Sequence, residues 1–225
     1  YEMNAHPAST VVDLNRAIDT FVVPVRDKVC PGEPFAIAPH IGQKLASELR
    51  KKGVAESVGD RLRDLDLHPY TVNAFPLKDF HARRGKEQVY LPSWAHTERA
   101  SVTCRIADVF IRMTPQAKNL SISTLGGGYR SAGNTPADHQ KMALQYLKVV
   151  AHLVRLEHET GIRITLNAEP EPDTTFECAE DVIHFWENHL LSGIPELAMT
   201  LGCSRNKADK MLRRHWTVNL DACHS

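Results

Sequence analysis

Short strand-like segments alternate with amphipathic helical segments along the whole chain. The predicted strands cover residues 2–6, 34–40, 69–75, 120–124, 163–169 and 217–222. The clearest helix between them opens at Thr135 and Pro136, carries Asp138 in its first turn and ends at Gly161. Strands that alternate with helices build βαβ units, in which the strands run parallel. We therefore expect an α/β fold with a parallel sheet.

Two helix boundaries follow from proline and glycine positions. Proline cannot continue a regular helix, so we expect the first helix to stop near Pro24. Glycine readily adopts the left-handed conformation at a helix end, so Gly53 is expected to cap the helix that follows residues 34–40.

Each predicted strand carries polar residues on one face and mainly apolar residues on the other, because residues two apart share a face. The polar sides hold Glu2, Asn4, His6, His40, Thr71, Asn73, Ser121, Ser123, Thr165, Asn167, Glu169, Thr217, Asn219 and Asp221. A strand buried on both faces of a flat sheet would instead be continuously apolar. The pattern favours a closed barrel with a polar site at its C-terminal end, where the loops that follow the strands gather. The alternative is a polar face that is only a hydrogen-bonded lining.

Two segments carry metal-binding residue types at matching places. Glu169 is the last polar-face position before Pro170 ends its strand, and Asp221 holds the equivalent position on the next strand. His224 follows one turn later, where its ring can fold back. Several oxygen or imidazole ligands aimed at one point are what a divalent cation requires. Glu171 follows in the loop, where we expect it to contact the substrate or to hydrogen-bond a residue that binds the metal.

Composition narrows the range of partners. Lysine plus arginine and aspartate plus glutamate both number 27, so the neutral chain gives no support for a nucleic-acid partner. Residues 196–215 resemble a helix-turn-helix, but they lie between a predicted barrel helix and the sixth strand. No apolar run reaches the roughly 20 residues of a membrane span.

Five scattered cysteines predict free thiols in a reducing, cytoplasmic setting. The glycine-rich residues 126–130 lack the lysine of a P-loop and predict a flexible loop.

Several segments together resemble a known family. They are NAHP (4–7), VNAFP (72–76), FH (80–81), KEQVYLPSW (86–94), SIST (121–124), EPEP (169–172) and DACHS (221–225). The sequence is similar to the metabolite traffic protein EboE family within the xylose-isomerase-like TIM-barrel superfamily. That superfamily includes sugar phosphate isomerases and epimerases and endonuclease IV.

The resemblance implies a metal centre and an incomplete barrel. Glu169, Asp221 and His224 would bind a divalent ion, Mg²⁺, Mn²⁺ or Zn²⁺, and the remaining ligands would come from a seventh and an eighth strand. Since only six strands are predicted, we expect a single domain over 1–225 that is truncated after the sixth strand. Residues 194–215 are expected to form a helical insert.

The resemblance also implies proton transfer on a carbohydrate-like metabolite by an isomerase or epimerase, linked to metabolite traffic. Glu169 would serve as both ligand and acid/base group. The expected substrate-binding residues are His6, His40, Asn73, His81, Lys86 and Glu171. Asn73, His81 and Lys86 are expected to bind hydroxyls or a phosphate, although Lys86 also suits a solvated loop and His6 a hydrogen-bonded lining. His40 stands at a position that the family does not assign. Two alternatives remain: a non-catalytic metabolite-binding or trafficking protein, and an endonuclease IV-like phosphodiesterase. The neutral charge and Phe75 at the end of the third strand disfavour the phosphodiesterase.

Overall fold

The computed structural model describes residues 1–6, 8–77 and 86–223, with the backbone alone for residues 86 and 87. The strands are β1 (Phe35–Ile37), β2 (Leu67–Pro69), β3 (Thr71–Asn73), β4 (Asn119–Leu125), β5 (Arg163–Glu169) and β6 (Trp216–Val218). The helices are α1 (Val11–Ala17), α2 (Val23–Val29), α3 (Gln43–Leu49), α4 (Val54–Asp64), α5 (Thr97–Met113), α6 (Pro136–Thr160), α7 (Ala179–Phe185), α8 (Ile194–Leu201) and α9 (Arg205–His215). The predicted α/β class with parallel strands is confirmed.

The strand pairs are parallel and follow chain order. β1 pairs with β2, and β3, β4, β5 and β6 form a second sheet. A bridge between His40 and Asn73 joins the two sheets, and a bridge between Glu2 and Ala38 adds the N-terminal segment. A single row of parallel neighbours therefore runs from the first residues to β6.

The predicted first strand, 2–6, is wrong beyond its single bridge at Glu2. The backbone amide of His6 donates to the carbonyl of Met3, and the Asn4 side chain donates to Glu2 Oε1. These local bonds form a turn, which competes with strand pairing.

The predicted strand at 69–75 is interrupted at Tyr70. Phe35 pairs with Leu67, whereas His40 pairs with Asn73, so the second segment carries one more residue over this stretch. An extra residue on one strand is the geometry of a β-bulge, which leaves that residue unpaired with its neighbour and bends the strand.

The last strand is also shorter than the predicted 217–222. The backbone amide of Asn219 still donates to Ala168, after which the Asp221 carboxylate accepts the amide of Cys223. That Asx-type bond turns the chain away from the sheet.

Burial alternates along the central strands as predicted. Ile122, Ile164, Leu166 and Ala168 are fully buried on the face of the sheet that packs against the helices. α6 and α9 contact β5 there, while α5 packs between α4 and α6. Full burial of each isoleucine or leucine side chain contributes about 1.5–3 kcal/mol, so this layer holds the sheet in place.

The helix boundaries predicted at Pro24 and Gly53 are both wrong. The first helix passes through a π turn, Ile18–Val22, and continues as α2, in which Pro24 is the second residue. Proline lacks an N–H and clashes with the preceding turn of a regular helix, and the wider turn accommodates it. Gly53, with φ of 78°, precedes α4 as its N-cap instead of closing α3.

The predicted boundaries of α6 are confirmed. Thr135 and Asp138 form a reciprocal capping box, and Gly161 adopts the left-handed conformation at the C-terminus. All five cysteines are free thiols, as expected.

The predicted insert, 194–215, contains α8 and α9. α9 packs on α6 and β5 and leads directly into β6. Its basic side chains include Arg214, which pairs with Glu157, and Arg213, which pairs with Asp209 and lies over the Trp186 ring. Within the described ranges, none of the helices is long and apolar enough to cross a bilayer.

Candidate functional site

The polar side of the strand row borders a cavity of about 800 Å³. Its lining includes Glu2, Asn4, His6, Lys44, His40, Asn73, Phe75, Tyr90, Glu169, Glu171 and Asp221. A second polar space of about 410 Å³ shares Glu2, Asn73, Glu169 and Asp221 with it. These volumes lie within the range of small-molecule sites. The N-terminal segment and the segment after β6 thus border the same space.

Glu169 ends β5 and is held from both neighbouring segments. Ser123 Oγ on β4 donates to Glu169 Oε2 at 2.8 Å, and Asn219 Nδ2 donates to the same oxygen at 2.8 Å. Asn219 also lies 3.3 Å from Ser123 Oγ. Sequence analysis placed Ser123 and Asn219 on the polar side but gave them no role, because only the strand pairing brings them to one oxygen.

Asp221 lines both cavities together with Glu169. β5 and β6 are parallel neighbours with Ala168 opposite Val218, so this register brings Asn219 level with Glu169. The predicted equivalence of Asp221 with Glu169 is therefore wrong by two residues, and Asp221 reaches the common space from beyond the end of β6. Glu2 enters that space from the other end of the strand row. Sequence analysis listed Glu2 on the polar side without selecting it for the site.

The third expected metal ligand, His224, lies outside the described residues, so its position relative to Glu169 and Asp221 stays a prediction. Across the described part of the chain, no three His, Cys, Asp or Glu side chains are grouped to hold a metal ion. The carboxylates of Glu169 and Asp221 are oxygen ligands of the type that Mg²⁺ and Mn²⁺ prefer. The donor set therefore fits part of a divalent-cation site.

His6 borders the cavity while its ring is engaged elsewhere. The Tyr1 hydroxyl lies 2.6 Å from Nε2, and the imidazole stacks on Phe21 with centroids 4.0 Å apart and planes 1° apart. These contacts orient the ring in the manner of a hydrogen-bonded lining residue.

His40 and Asn73 shape the cavity wall. His40 Nε2 lies 2.7 Å from the carbonyl oxygen of Pro76, so this nitrogen carries the proton, since a carbonyl only accepts. Asn73 Oδ1 accepts the backbone amide of Phe75 at 2.8 Å, which fixes the chain just after β3.

Glu171 contacts a residue that sequence analysis missed. The Tyr90 hydroxyl donates to Glu171 Oε2 at 3.0 Å, and both side chains are buried at the cavity wall. Burial, together with the charge of Glu171, raises the pKa of Tyr90 far above its usual range, so the phenol stays a donor. Tyr90 lies within the KEQVYLPSW segment, and membership of a segment that resembles the EboE family was the available signal.

The structure describes little of the two remaining expected substrate-binding residues, His81 and Lys86. His81 lies outside the described residues. The backbone of Lys86 begins a short 3₁₀ helix, Lys86–Tyr90, that carries Tyr90 to the cavity.

The glycine-rich segment is a packed loop, which corrects the expectation of a flexible one. A Cβ on Gly126 would lie 2.4 Å from the carbonyl oxygen of Glu169, and one on Gly127 would lie 2.5 Å from Thr175 Cβ. The amide of Gly127 also lies within hydrogen-bond distance of the Tyr146 hydroxyl, at 3.2 Å. Glycine is required here because the backbone approaches its neighbours too closely for a side chain.

Comparison with known proteins finds no family model that matches this chain and no significant match among curated proteins. The resemblance to the EboE family therefore stays a prediction that depends on the sequence segments.

Proposed function

We propose that the strand row belongs to a TIM (β/α)8-type barrel of the xylose-isomerase-like kind, related to the EboE family. Three features support this proposal. The pairs are parallel, they follow chain order, and the first and last segments border one polar space. A closed barrel of parallel strands places its ligand site at and beyond the C-terminal strand ends, and Glu169 ends β5 while Asp221 follows the end of β6.

Within this fold, we propose a divalent-metal-dependent isomerase or epimerase that transfers a proton on a carbohydrate-like metabolite. The observation that carries the proposal is that Glu169, at the end of β5, and Asp221, in the turn beyond β6, line the same two cavities. The acidic, concave space suits a cation and a small polar substrate.

In this proposal Glu169, Asp221 and His224 hold the ion, which when bound supplies polarisation of a substrate oxygen. Ser123 and Asn219 fix the orientation of the Glu169 carboxylate through Oε2. Glu169 would accept a proton from the carbon beside the substrate carbonyl and exchange it with water. An epimerase would return a proton to the same carbon, whereas an isomerase would return it to the former carbonyl carbon while a hydroxyl proton moves between the two oxygens.

Metal binding by the chain tests the first half of the proposal. Titration with Mn²⁺, followed by electron paramagnetic resonance, is expected to show one site. Glu169→Gln and Asp221→Asn should each weaken it by at least about tenfold, because each removes an ionised ligand. Glu33→Gln, in an exposed loop away from both cavities, is the matched control. Equal Mn²⁺ affinity in all four proteins would refute the site.

Solvent exchange tests the second half. Aldoses and ketoses incubated with the Mn²⁺-loaded chain in D₂O should take up deuterium at the carbon beside the carbonyl, and Glu169→Gln should abolish this uptake. A chain that binds both metal and sugar but takes up no deuterium would refute proton transfer and support the alternative of a non-catalytic metabolite-binding or trafficking protein. Cleavage of abasic-site DNA would instead support the phosphodiesterase alternative.

A further inference from the structure

One end of the larger cavity combines aromatic rings with a buried carboxylate, and we name it the aromatic subsite, formed by Phe75, Tyr90 and Glu171. We infer that this subsite binds the closed ring of an uncharged carbohydrate or cyclitol in preference to a phosphorylated sugar. The inference deepens the proposed function and rests on it for the reaction.

The partly exposed Phe75 supplies a surface for the apolar face of a polyol ring, and the buried Tyr90 packs against it. Phe75 and Tyr90 both line the cavity, with ring centroids 5.2 Å apart and planes tilted by 36°. The Tyr129 ring packs against Tyr90, with centroids 5.1 Å apart. Aromatic faces carry negative charge density that attracts partly positive C–H groups, and the C–H groups of a pyranose or cyclitol point to the faces of its ring.

The subsite is rigid before any ligand binds. The buried Tyr90 hydroxyl is anchored on Glu171, and the fully buried guanidinium of Arg99 holds the following backbone. Arg99 Nε donates to the Pro92 carbonyl at 2.6 Å, and its guanidinium lies 5.9 Å from the centroid of the Phe75 ring. Groups that are already ordered lose little entropy on binding, which favours a small, weakly hydrophobic ligand.

Glu171 gives the subsite its polar specificity. A carboxylate offers about four acceptor positions, and hydroxyl donors bind it more strongly than they bind a neutral acceptor. A ring hydroxyl beside the Tyr90–Glu171 pair therefore adds to a network that is already in place. A stacked ring with hydroxyls at its edge satisfies both the aromatic wall and the carboxylate.

Among the described lining residues, the charge disfavours a phosphate ester. The acidic residues of the lining are Glu2, Glu169, Glu171 and Asp221, and Lys44 is its single lysine or arginine among the described side chains. A bound divalent cation offsets two of these negative charges and leaves the lining without excess positive charge. A phosphate dianion among carboxylates is repelled, whereas an uncharged polyol is not.

Saturation-transfer NMR on the chain tests this inference with four probes. Methyl β-D-glucopyranoside and myo-inositol present closed rings, sorbitol presents an open chain, and glucose 6-phosphate presents a phosphate ester. We expect the closed-ring probes to bind more tightly than the other two. Phe75→Leu should weaken ring binding by about threefold to tenfold, the value of an aromatic contact. Tyr90→Phe should preserve stacking, and Tyr90→Leu should weaken it.

Tyr70→Leu is the matched control, because Tyr70 is an exposed aromatic residue outside both cavity linings. Circular dichroism and the Mn²⁺ titration are recorded for every variant. Equal binding of sorbitol overturns the stacking role, and tighter binding of glucose 6-phosphate overturns the charge selection. If the unsubstituted chain binds Mn²⁺ but none of the closed-ring probes, this inference is refuted and the proposed function is not. If it binds the closed-ring probes but not Mn²⁺, only the proposed function is refuted.

Discussion

At the scale of single residues, the carboxylate of Glu169 shows how neighbouring strands create a site. Its Oε2 accepts hydrogen bonds from Ser123 and Asn219, one on each flanking segment. Each donor is a common polar residue with no functional signature of its own. Their effect comes from pointing at one atom, which fixes the side chain that the sequence singled out.

We predict that Asn219→Ala weakens Mn²⁺ binding by about tenfold, since support residues of this kind are worth about 10–100-fold in metal affinity. The variant keeps the Glu169 charge but removes one of the two bonds that orient it. Asn188→Ala, on an exposed helical turn, is the control. An unchanged Mn²⁺ affinity, measured by electron paramagnetic resonance, would assign Asn219 a purely structural role.

At the scale of elements, helix packing depends on one position that carries no side chain. A Cβ on Gly59 of α4 would lie 2.2 Å from the carbonyl oxygen of Met113 at the end of α5. Glycine inside a helix normally costs about 0.5–1 kcal/mol relative to alanine. Here it permits α4 and α5 to approach at backbone distance.

Gly59→Ala is therefore predicted to destabilise the chain by about 1–3 kcal/mol, the cost of overpacking, although helix propensity alone predicts a gain. Urea unfolding followed by circular dichroism measures the change. Ser57→Ala, on the exposed side of the same helix, should alter stability by no more than about 0.5 kcal/mol. A stabilised Gly59→Ala variant would contradict the close approach.

A second link between these helices is electrostatic and depends on pH. Arg112 on α5 donates to both carboxylate oxygens of Glu56 on α4 at 2.8 Å, and this lowers the pKa of Glu56 from 4.5 to about 2. A carboxyl whose pKa falls on folding stabilises the folded state above its unfolded pKa. That contribution is lost as the pH falls from about 4.5 through about 2.

We predict that Glu56→Gln lowers the free energy of unfolding at pH 6.5 and that this deficit shrinks toward pH 2.5. Because the pair is exposed, the deficit should also decrease in high salt. Urea titrations at several pH values measure it, with Glu33→Gln as the control. A deficit that is the same at every pH would show that the ion pair is not its cause.

At the scale of the whole molecule, the strand row brings distant parts of the chain to one acidic space. Glu2 comes from the N-terminal segment, Glu169 from the end of β5 and Asp221 from beyond β6. Like charges in one space repel each other, and a bound cation relieves that repulsion. Ligand binding to the folded state therefore links this site to global stability.

We predict that Mn²⁺ at about 100 times its Kd raises the melting temperature by about 5–10 °C. At that concentration the bound ion adds about 2.7 kcal/mol to the free energy of unfolding. The melting temperature of a domain of this size rises by about 2–4 °C for each added kcal/mol. Chelation with EDTA should reverse the shift, and Asp221→Asn should reduce it. Scanning calorimetry measures both effects, and an identical shift in the variant would locate cation binding elsewhere.

A feature could be predicted from the sequence when the interactions that produce it join residues close together along the chain. The ends of α6 could be predicted because Thr135, Asp138 and Gly161 act within a turn of their own position. The strand at 163–169 could be predicted because its alternation is local. The helix end predicted at Pro24 was wrong because the preceding π turn accommodates the proline, and no residue type in the sequence predicts such a turn.

By itself, the sequence determined the α/β class, the parallel strands and the polar side on which Glu169 and Asp221 lie, since periodicity and strand ends are local properties. Only the tertiary structure decided which side chains meet. The pairs of Tyr90 with Glu171 and of Asn219 with Glu169 join residues 81 and 50 positions apart. Strand register and packing fix such contacts, and neither can be inferred from residue types at those positions.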